Sequence, residues 1–85
     1  MAEALFEIGN VEKHKIKVYE SLWTAKVRIW IDDKEMVKTY QIGFNDKSYK
    51  FQVGNTEIHE VEIKVGGLIT AKFEIFVDGK LISTA

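Results

Sequence analysis

The stretch FQVGNTEIHEVEIKVGGLITAKFEIFVDGK, Phe51 to Lys80, decides the fold, because Phe6 to Lys34 repeats it as FEIGNVEKHKIKVYESLWTAKVRIWIDDK. Both copies contain a phenylalanine, a Gly-Asn pair, a Glu-x-His pair and a Thr-Ala-Lys segment. Equivalent positions are 45 residues apart at the start and 46 apart from the threonine onward, which places one extra residue near Gly66–Gly67. The chain is therefore predicted to be an internal duplication of a small β unit, with copies at about 6–36 and 51–82.

Length and composition indicate one soluble domain, residues 1–85, with a small core. The net charge of −1 favours neither nucleic acid nor an anionic membrane as a partner. The absence of cysteine excludes disulfides and thiolate chemistry and suits a reducing compartment. The first ten residues show no signal-peptide pattern, so we expect a cytoplasmic protein.

Apolar and polar residues alternate with a period of two, and no window sustains a helical period. This pattern predicts an all-β fold, an antiparallel β-sandwich of eight short strands in which the copies are related by a pseudo-twofold axis. The predicted strands are Ala4–Ile8, Lys13–Glu20, Trp23–Ile31, Glu35–Ile42, Tyr49–Val53, Glu57–Val65, Ile69–Val77 and Lys80–Ser83.

The alternation also predicts which residues face the core. The predicted core residues are Phe6, Ile8, Ile16, Val18, Val27, Ile29, Ile31, Phe51, Val53, Val61, Ile63, Phe73, Ile75 and Val77. In the strand after the first copy, strict alternation from Met36 would bury Lys38, so we expect a bulge near Val37–Thr39.

Turn residues separate the strands. Asp78-Gly79 is typical of a type I′ hairpin turn, whereas the first copy has Asp32-Asp33 there, which predicts a strained or looser turn. Gly9-Asn10 and Gly54-Asn55 are interpreted as turns leading into the second and sixth strands.

His14 and His59 are the only histidines and occupy equivalent positions, each two residues after a glutamate. One interpretation is a metal corner or an acid–base pair, but a metal site needs three or four converging ligands. The other is a structural pair at the sheet ends, hydrogen-bonded and packed against the core, which we favour. If both are buried and neutral, acidification should destabilise the fold, and zinc should not change the melting temperature.

No nucleophile–base pattern, phosphate loop or cofactor motif is present, so we expect a protein that is not an enzyme and binds no cofactor or metal. The candidate binding surface combines outward aromatic and apolar side chains with a basic strand face: Trp30, Phe76, Leu81, Lys13, Lys15 and Lys17. A neighbouring strand or Trp23 could instead cover the two aromatic rings. Aromatic side chains on a β face also leave a carbohydrate-binding or purely structural module as alternatives.

The assembled motifs are similar to those of the Fas apoptotic inhibitory molecule family, over His14 to Lys80. The matching segments are His14-Lys15-Ile16, Val27-x-Ile29-x-Ile31-Asp32-x-Lys34-Glu35, Phe51-x-Val53-Gly54 and Phe73-Glu74-x-x-Val77-Asp78-Gly79-Lys80. Proteins of this family carry two β-sandwich domains, and this chain resembles one of them. The resemblance implies a cytosolic, non-enzymatic protein that binds other proteins, restrains death-receptor apoptosis or protects cells against protein aggregation.

Opposite charges on equivalent strands predict how the domain associates. Lys13, Lys15 and Lys17 lie on the outer face of the second strand, whereas Glu60 and Glu62 lie on that of the sixth. If these strands are neighbours, the charges pair; if they lie at opposite edges, they form complementary margins. We expect protein partners and a monomer with weak, salt-sensitive self-association.

Overall fold

The computed structural model describes residues 2–21, 23–40, 47–66 and 72–84. Over these residues it confirms the all-β fold, with eight strands in two four-stranded antiparallel sheets, one sheet from each copy of the repeat. The first sheet has the order β1-β2-β3-β4 and consists of β1 Ala2–Ile8, β2 His14–Ser21, β3 Lys26–Ile31 and β4 Lys34–Tyr40. The second has the order β5-β6-β7-β8 and consists of β5 Lys47–Val53, β6 His59–Gly66, β7 Lys72–Val77 and β8 Lys80–Thr84.

The predicted strand boundaries are close, with one instructive error. β3 begins at Lys26 rather than Trp23, because residues 23–25 form a turn in which Ala25 has φ +59°. The predicted start of the seventh strand at Ile69 and the predicted end of the fourth at Ile42 lie outside the described residues. The register Ser21↔Lys26 is matched by Gly66↔Lys72, so the extra residue of the second copy lies in 67–71, as predicted.

The core consists of the facing inner surfaces of the two sheets. Its buried members are Ile8, Ile16, Val18, Val27, Ile29, Val53, Val61, Ile63, Val65, Phe73 and Ile75. Every predicted core residue is either in this set or packed against it.

The inner surfaces also contain two residues that break the repeat and were not predicted to be buried. Glu20, only 4% exposed, occupies the position that Val65 has in the second copy, and Tyr49 occupies that of Ala4. Burial raises the pKa of the Tyr49 hydroxyl, and the nearby Glu20 carboxylate raises it further. These two departures from the repeat therefore lie near enough to interact electrostatically.

A bulge in each sheet determines which side chains of β4 and β8 face the core. The β3–β4 register shifts between Ile29 and Trp30, leaving Met36 as the extra residue and directing Val37 toward the core. Lys38 consequently points to solvent, and the bulge lies one residue earlier than predicted. The second sheet has the equivalent bulge at Ile82.

The β3–β4 and β7–β8 turns both have positive φ at their two central residues. Asp78 and Gly79 have φ values of +51° and +81°, and Asp32 and Asp33 have +51° and +65°. The first turn is thus the strained alternative of the two predicted, because a non-glycine residue occupies the second left-handed position.

Candidate functional site

Two glutamates join the sheets where the β1–β2 and β5–β6 turns meet. The Glu12 carboxylate accepts hydrogen bonds from the backbone N–H groups of residues 55, 56 and 57, at 2.8, 2.8 and 3.3 Å. The Glu57 carboxylate accepts from those of residues 10, 11 and 12, at 2.8, 2.7 and 3.1 Å. We call this reciprocal pair the carboxylate clasp; it satisfies six turn N–H groups, each by the opposite copy.

Each glutamate of the carboxylate clasp also holds the histidine of its own copy. His14 Nε2 lies 2.5 Å from Glu12 Oε2, and Nδ1 bonds Asp32 Oδ2. The equivalent distances for His59 are 2.5 Å to Glu57 and 2.6 Å to Asp78. Each imidazole therefore bridges the first turn and the type I′ turn of its sheet.

The aspartates of these bridges also accept hydrogen bonds from the second residues of β2 and β6. Asp32 Oδ1 accepts the backbone N–H of Lys15, and Asp78 Oδ1 that of Glu60, each at 2.9 Å. This contact explains why aspartate is useful at the first position of both turns, since its side chain reaches back to the neighbouring strand.

These contacts shift the pKa of every member of the network. The Asp32 and Glu12 carboxylates raise the pKa of His14, and the Glu57 and Asp78 carboxylates raise that of His59. The pKa of Glu12 falls to about 2, chiefly through the Thr56 N–H and His14, and that of Glu57 falls to about 2 through His59 and the Asn10 N–H. The pKa values of Asp32 and Asp78 are lowered by their histidines.

The surroundings of His14 and His59 fit the structural interpretation but not the condition of neutral rings on which the predicted pH dependence rested. Both imidazoles are hydrogen-bonded at the sheet ends with side chains only 16% and 18% exposed, as the structural interpretation required. Each imidazole also lies between two carboxylates, which raise the pKa of the histidine and so favour the imidazolium over the neutral ring. With both ring nitrogens engaged, neither is free to ligate, and no group of three or more ligand side chains suited to a metal occurs among the described residues.

The pH dependence of stability therefore has the opposite sign from that expected for neutral histidines. Since the folded pKa of His14 and His59 is raised, their contribution is complete below pH 6.5 and is lost as pH rises through the raised value. Since the folded pKa of Glu12 and Glu57 is lowered, their contribution is complete above pH 4.5 and is lost toward pH 2.

Melting temperatures measured across this range should thus be highest between about pH 4.5 and 6.5. The double variant His14→Gln, His59→Gln is the control and should flatten the alkaline side of the profile. A wild-type melting temperature that rises from pH 6 to pH 8 would contradict the assignment.

The predicted binding surface does not form one patch. Trp30 lies on the outer face of the first sheet, whereas Phe76, with its cross-strand partner Leu81, lies on the outer face of the second. Lys17 and Arg28 lie over the Trp30 ring, with Nζ at 5.1 Å and Cζ at 4.4 Å from its centroid, and Lys64 lies over Phe76 at 5.0 Å. Of the two predicted covers, the neighbouring strand is the one observed, because Lys17 belongs to β2 and Lys64 to β6, whereas Trp23 is 94% exposed.

The predicted basic face is balanced within its own sheet. Lys13 pairs with Glu7 and Lys17 with Glu3, each at 3.8 Å, and Lys15 lies opposite Glu7. β2 and β6 are interior strands of different sheets, so they are neither neighbours nor edges, and both alternatives predicted for their charges are wrong.

The edges are instead β1 and β4 in the first sheet and β5 and β8 in the second. β4 and β8 carry the bulges at Met36 and Ile82, and β5 carries exposed lysines at 47 and 50. β1 pairs with β2 over seven residues without a register shift, and its exposed side chains are Glu3, Leu5 and Glu7. Beside it, an apolar cleft of about 440 Å³ is lined by Phe6 and Ile8 from β1 and by Val77 and Ile82 from the second sheet.

Neither the carboxylate clasp nor the identity of the edges was predicted. The available signal for the clasp is the repeated glutamate that follows each Gly-Asn turn, which the sequence pattern alone presents only as a possible metal ligand.

Comparison with known proteins gives no further information on the site, because no family model, curated protein or solved structure matches the chain. No helix in the described residues is long and apolar enough to cross a membrane.

Proposed function

We propose that this chain is a non-enzymatic protein-binding domain that captures extended polypeptide segments at the edge of β1. The observation that carries the proposal is that β1, of the four edge strands in the described part of the chain, has neither a bulge nor a lysine. Bulges and edge lysines are the devices by which β proteins discourage strand addition.

The side chains around β1 suit an added strand. An extended segment would hydrogen-bond to the free backbone edge of β1, which gives affinity without dependence on sequence. Its alternate side chains would face Leu5 on the outer surface, 67% exposed, and the apolar cleft beside Phe6 and Ile8 on the inner one. The edge therefore favours segments with alternating apolar residues, which are the segments that aggregate.

This activity accords with the resemblance to the Fas apoptotic inhibitory molecule family, whose members are associated with protection against aggregation and with restraint of apoptosis. On that basis we place the protein in the cytoplasm. The carbohydrate-binding alternative is less favoured, because cations already lie over the rings of Trp30 and Phe76, where a sugar would have to stack.

The proposal is tested by fibril growth of an aggregating peptide with the domain present at substoichiometric ratio. We expect the wild-type domain to slow growth and Leu5→Lys to abolish the effect, because a lysine on the edge opposes strand addition. Val11→Lys is the matched control: it adds the same charge at a residue that is 94% exposed in a turn, and it should slow growth as the wild type does.

Melting curves of both variants would verify that they are folded. Unchanged fibril growth with the wild-type domain would refute the proposal, as would equal activity of the Leu5→Lys variant. Strong hits on a glycan array that are lost in Trp30→Ala would favour the carbohydrate-binding alternative.

A further inference from the structure

The two lateral sides of the sandwich are equivalent in the repeat but differ in charge. One side, here called the acidic margin, comprises β1 and β8, which meet at the cleft lined by Phe6 and Ile82. The other, the basic margin, comprises β5 and β4, which meet at an equivalent cleft of about 190 Å³ lined by Val53 and Met36. The repeat relates β1 to β5 and β8 to β4, so the margins have the same strands in the same arrangement.

Their charged residues have diverged. The edge strands of the acidic margin have two exposed carboxylates, Glu3 and Glu7, and one exposed lysine, Lys80. The two carboxylates lie 3.8 Å from Lys17 and Lys13, but their side chains remain 59% and 60% exposed, so they stay accessible to an incoming strand. The basic margin has four exposed lysines and one exposed carboxylate: Lys34, Lys38, Lys47, Lys50 and Glu35. Two basic margins would repel one another, whereas an acidic and a basic margin are complementary.

Backbone geometry permits the same pairing. β5 pairs with β6 over Lys47 to Val53 without a register shift, as β1 does with β2 over Ala2 to Ile8. Among the described residues, both strands are therefore regular edges with a strand paired on one side only. The lysines that discourage β5 from pairing with an arbitrary strand oppose it least when the incoming strand carries glutamates.

We propose that the partner of the acidic margin is a second copy of this chain, which docks its basic margin there so that β5 of one molecule extends the sheet at β1 of the next. The inference rests on the proposed function in that both use the free edge of β1. The contact joins two different surfaces, so each added molecule leaves one margin of each kind free, and association continues into open chains instead of closing at a dimer.

Sedimentation velocity of the full chain tests the salt dependence. We expect concentration-dependent association at ~0.01 M salt, where the Debye length is ~30 Å, and at least about tenfold weaker association at ~1 M, where it is ~3 Å. A weight-average mass that is the same at both salt concentrations would overturn the proposal.

Charge exchange tests the surfaces. The double variant Glu3→Lys, Glu7→Lys should make both margins basic, and the double variant Lys47→Glu, Lys50→Glu should make both acidic. Each double variant alone should therefore remain monomeric. An equimolar mixture of the two should associate again, since each supplies the margin that the other lacks. If either variant alone associates as strongly as the wild type, or if the mixture stays monomeric, the proposal is wrong.

The matched neutral variant Glu3→Gln, Glu7→Gln provides a second measurement in case the charge-exchanged chains do not fold, and it should also be monomeric. Failure of self-association can be told apart from failure of the proposed function. If the wild-type domain slows fibril growth but the mixture stays monomeric, only the self-association proposal is overturned. If the mixture associates but the wild-type domain has no effect on fibril growth, only the proposed capture of extended segments is overturned.

Discussion

Replacing Gly9 or Gly54 by alanine should destabilise the domain by more than about 3 kcal/mol, which places both substitutions among the most damaging in the chain. A Cβ atom at Gly9 would lie 2.0 Å from the carbonyl oxygen of Glu12, and one at Gly54 would lie 2.0 Å from that of Glu57. Both glycines also have positive φ, +98° and +110°, which an L side chain disfavours. Relief of the clash would have to move the turn, and with it the N–H groups that the carboxylate clasp holds.

Gly79→Ala is the matched control, because Gly79 has φ +81° but a Cβ there would have no atom within 4 Å. Its cost should be limited to backbone strain of roughly 1–2 kcal/mol. Guanidinium unfolding of the three variants gives the comparison. If Gly54→Ala costs no more than Gly79→Ala, the turns yield easily and the clasp is not a rigid contact.

Ile29→Ala and Ile75→Ala should each cost about 2–5 kcal/mol. Both side chains are fully buried, at equivalent positions on the central part of β3 and β7. Because each faces the interior between the sheets, truncation leaves a cavity that the flanking strands cannot close without breaking register.

Met36→Ala serves as the control for this pair, since Met36 is 44% exposed at the bulge and its truncation should change stability by only about 0.5 kcal/mol. The free energies of unfolding of the three variants, measured by denaturant titration, test this comparison. A cost below about 1 kcal/mol at either isoleucine would mean that the core is looser than the structure indicates.

The fold could be predicted from sequence because the relevant signals are local. Alternation along Lys13 to Glu20 and along Glu57 to Val65 identifies one apolar face per strand, and the duplication means that each assignment is made twice. At Glu20 the alternation points the side chain inward, as the structure has it. Burial was not predicted there because a glutamate is an unusual core residue. Asp32-Asp33 similarly adopts the turn of Asp78-Gly79, because the surrounding hairpin imposes the conformation on the less suitable residue.

The site could not be predicted to the same extent because its contacts are long-range. Glu12 bonds N–H groups that lie more than 40 residues away in the chain, and no spacing rule connects a glutamate to a turn in another sheet. The outer faces show the same limit. Alternation correctly places Trp30 and Phe76 on outer faces, but it does not reveal that the two faces belong to different sheets on opposite sides of the molecule. The identity of the edges required the strand order, which depends on hairpin pairing and not on the charge of any strand.

The carboxylate clasp has a consequence for how the chain acquires its stability. Neither half can complete its own first turn, because the acceptor for its three N–H groups belongs to the other half. A separated half would need a second identical half to supply that acceptor, so the present chain has the organisation of a fused homodimer. We therefore expect the two sheets to unfold together in one cooperative transition, and hydrogen exchange to report the same opening free energy in both.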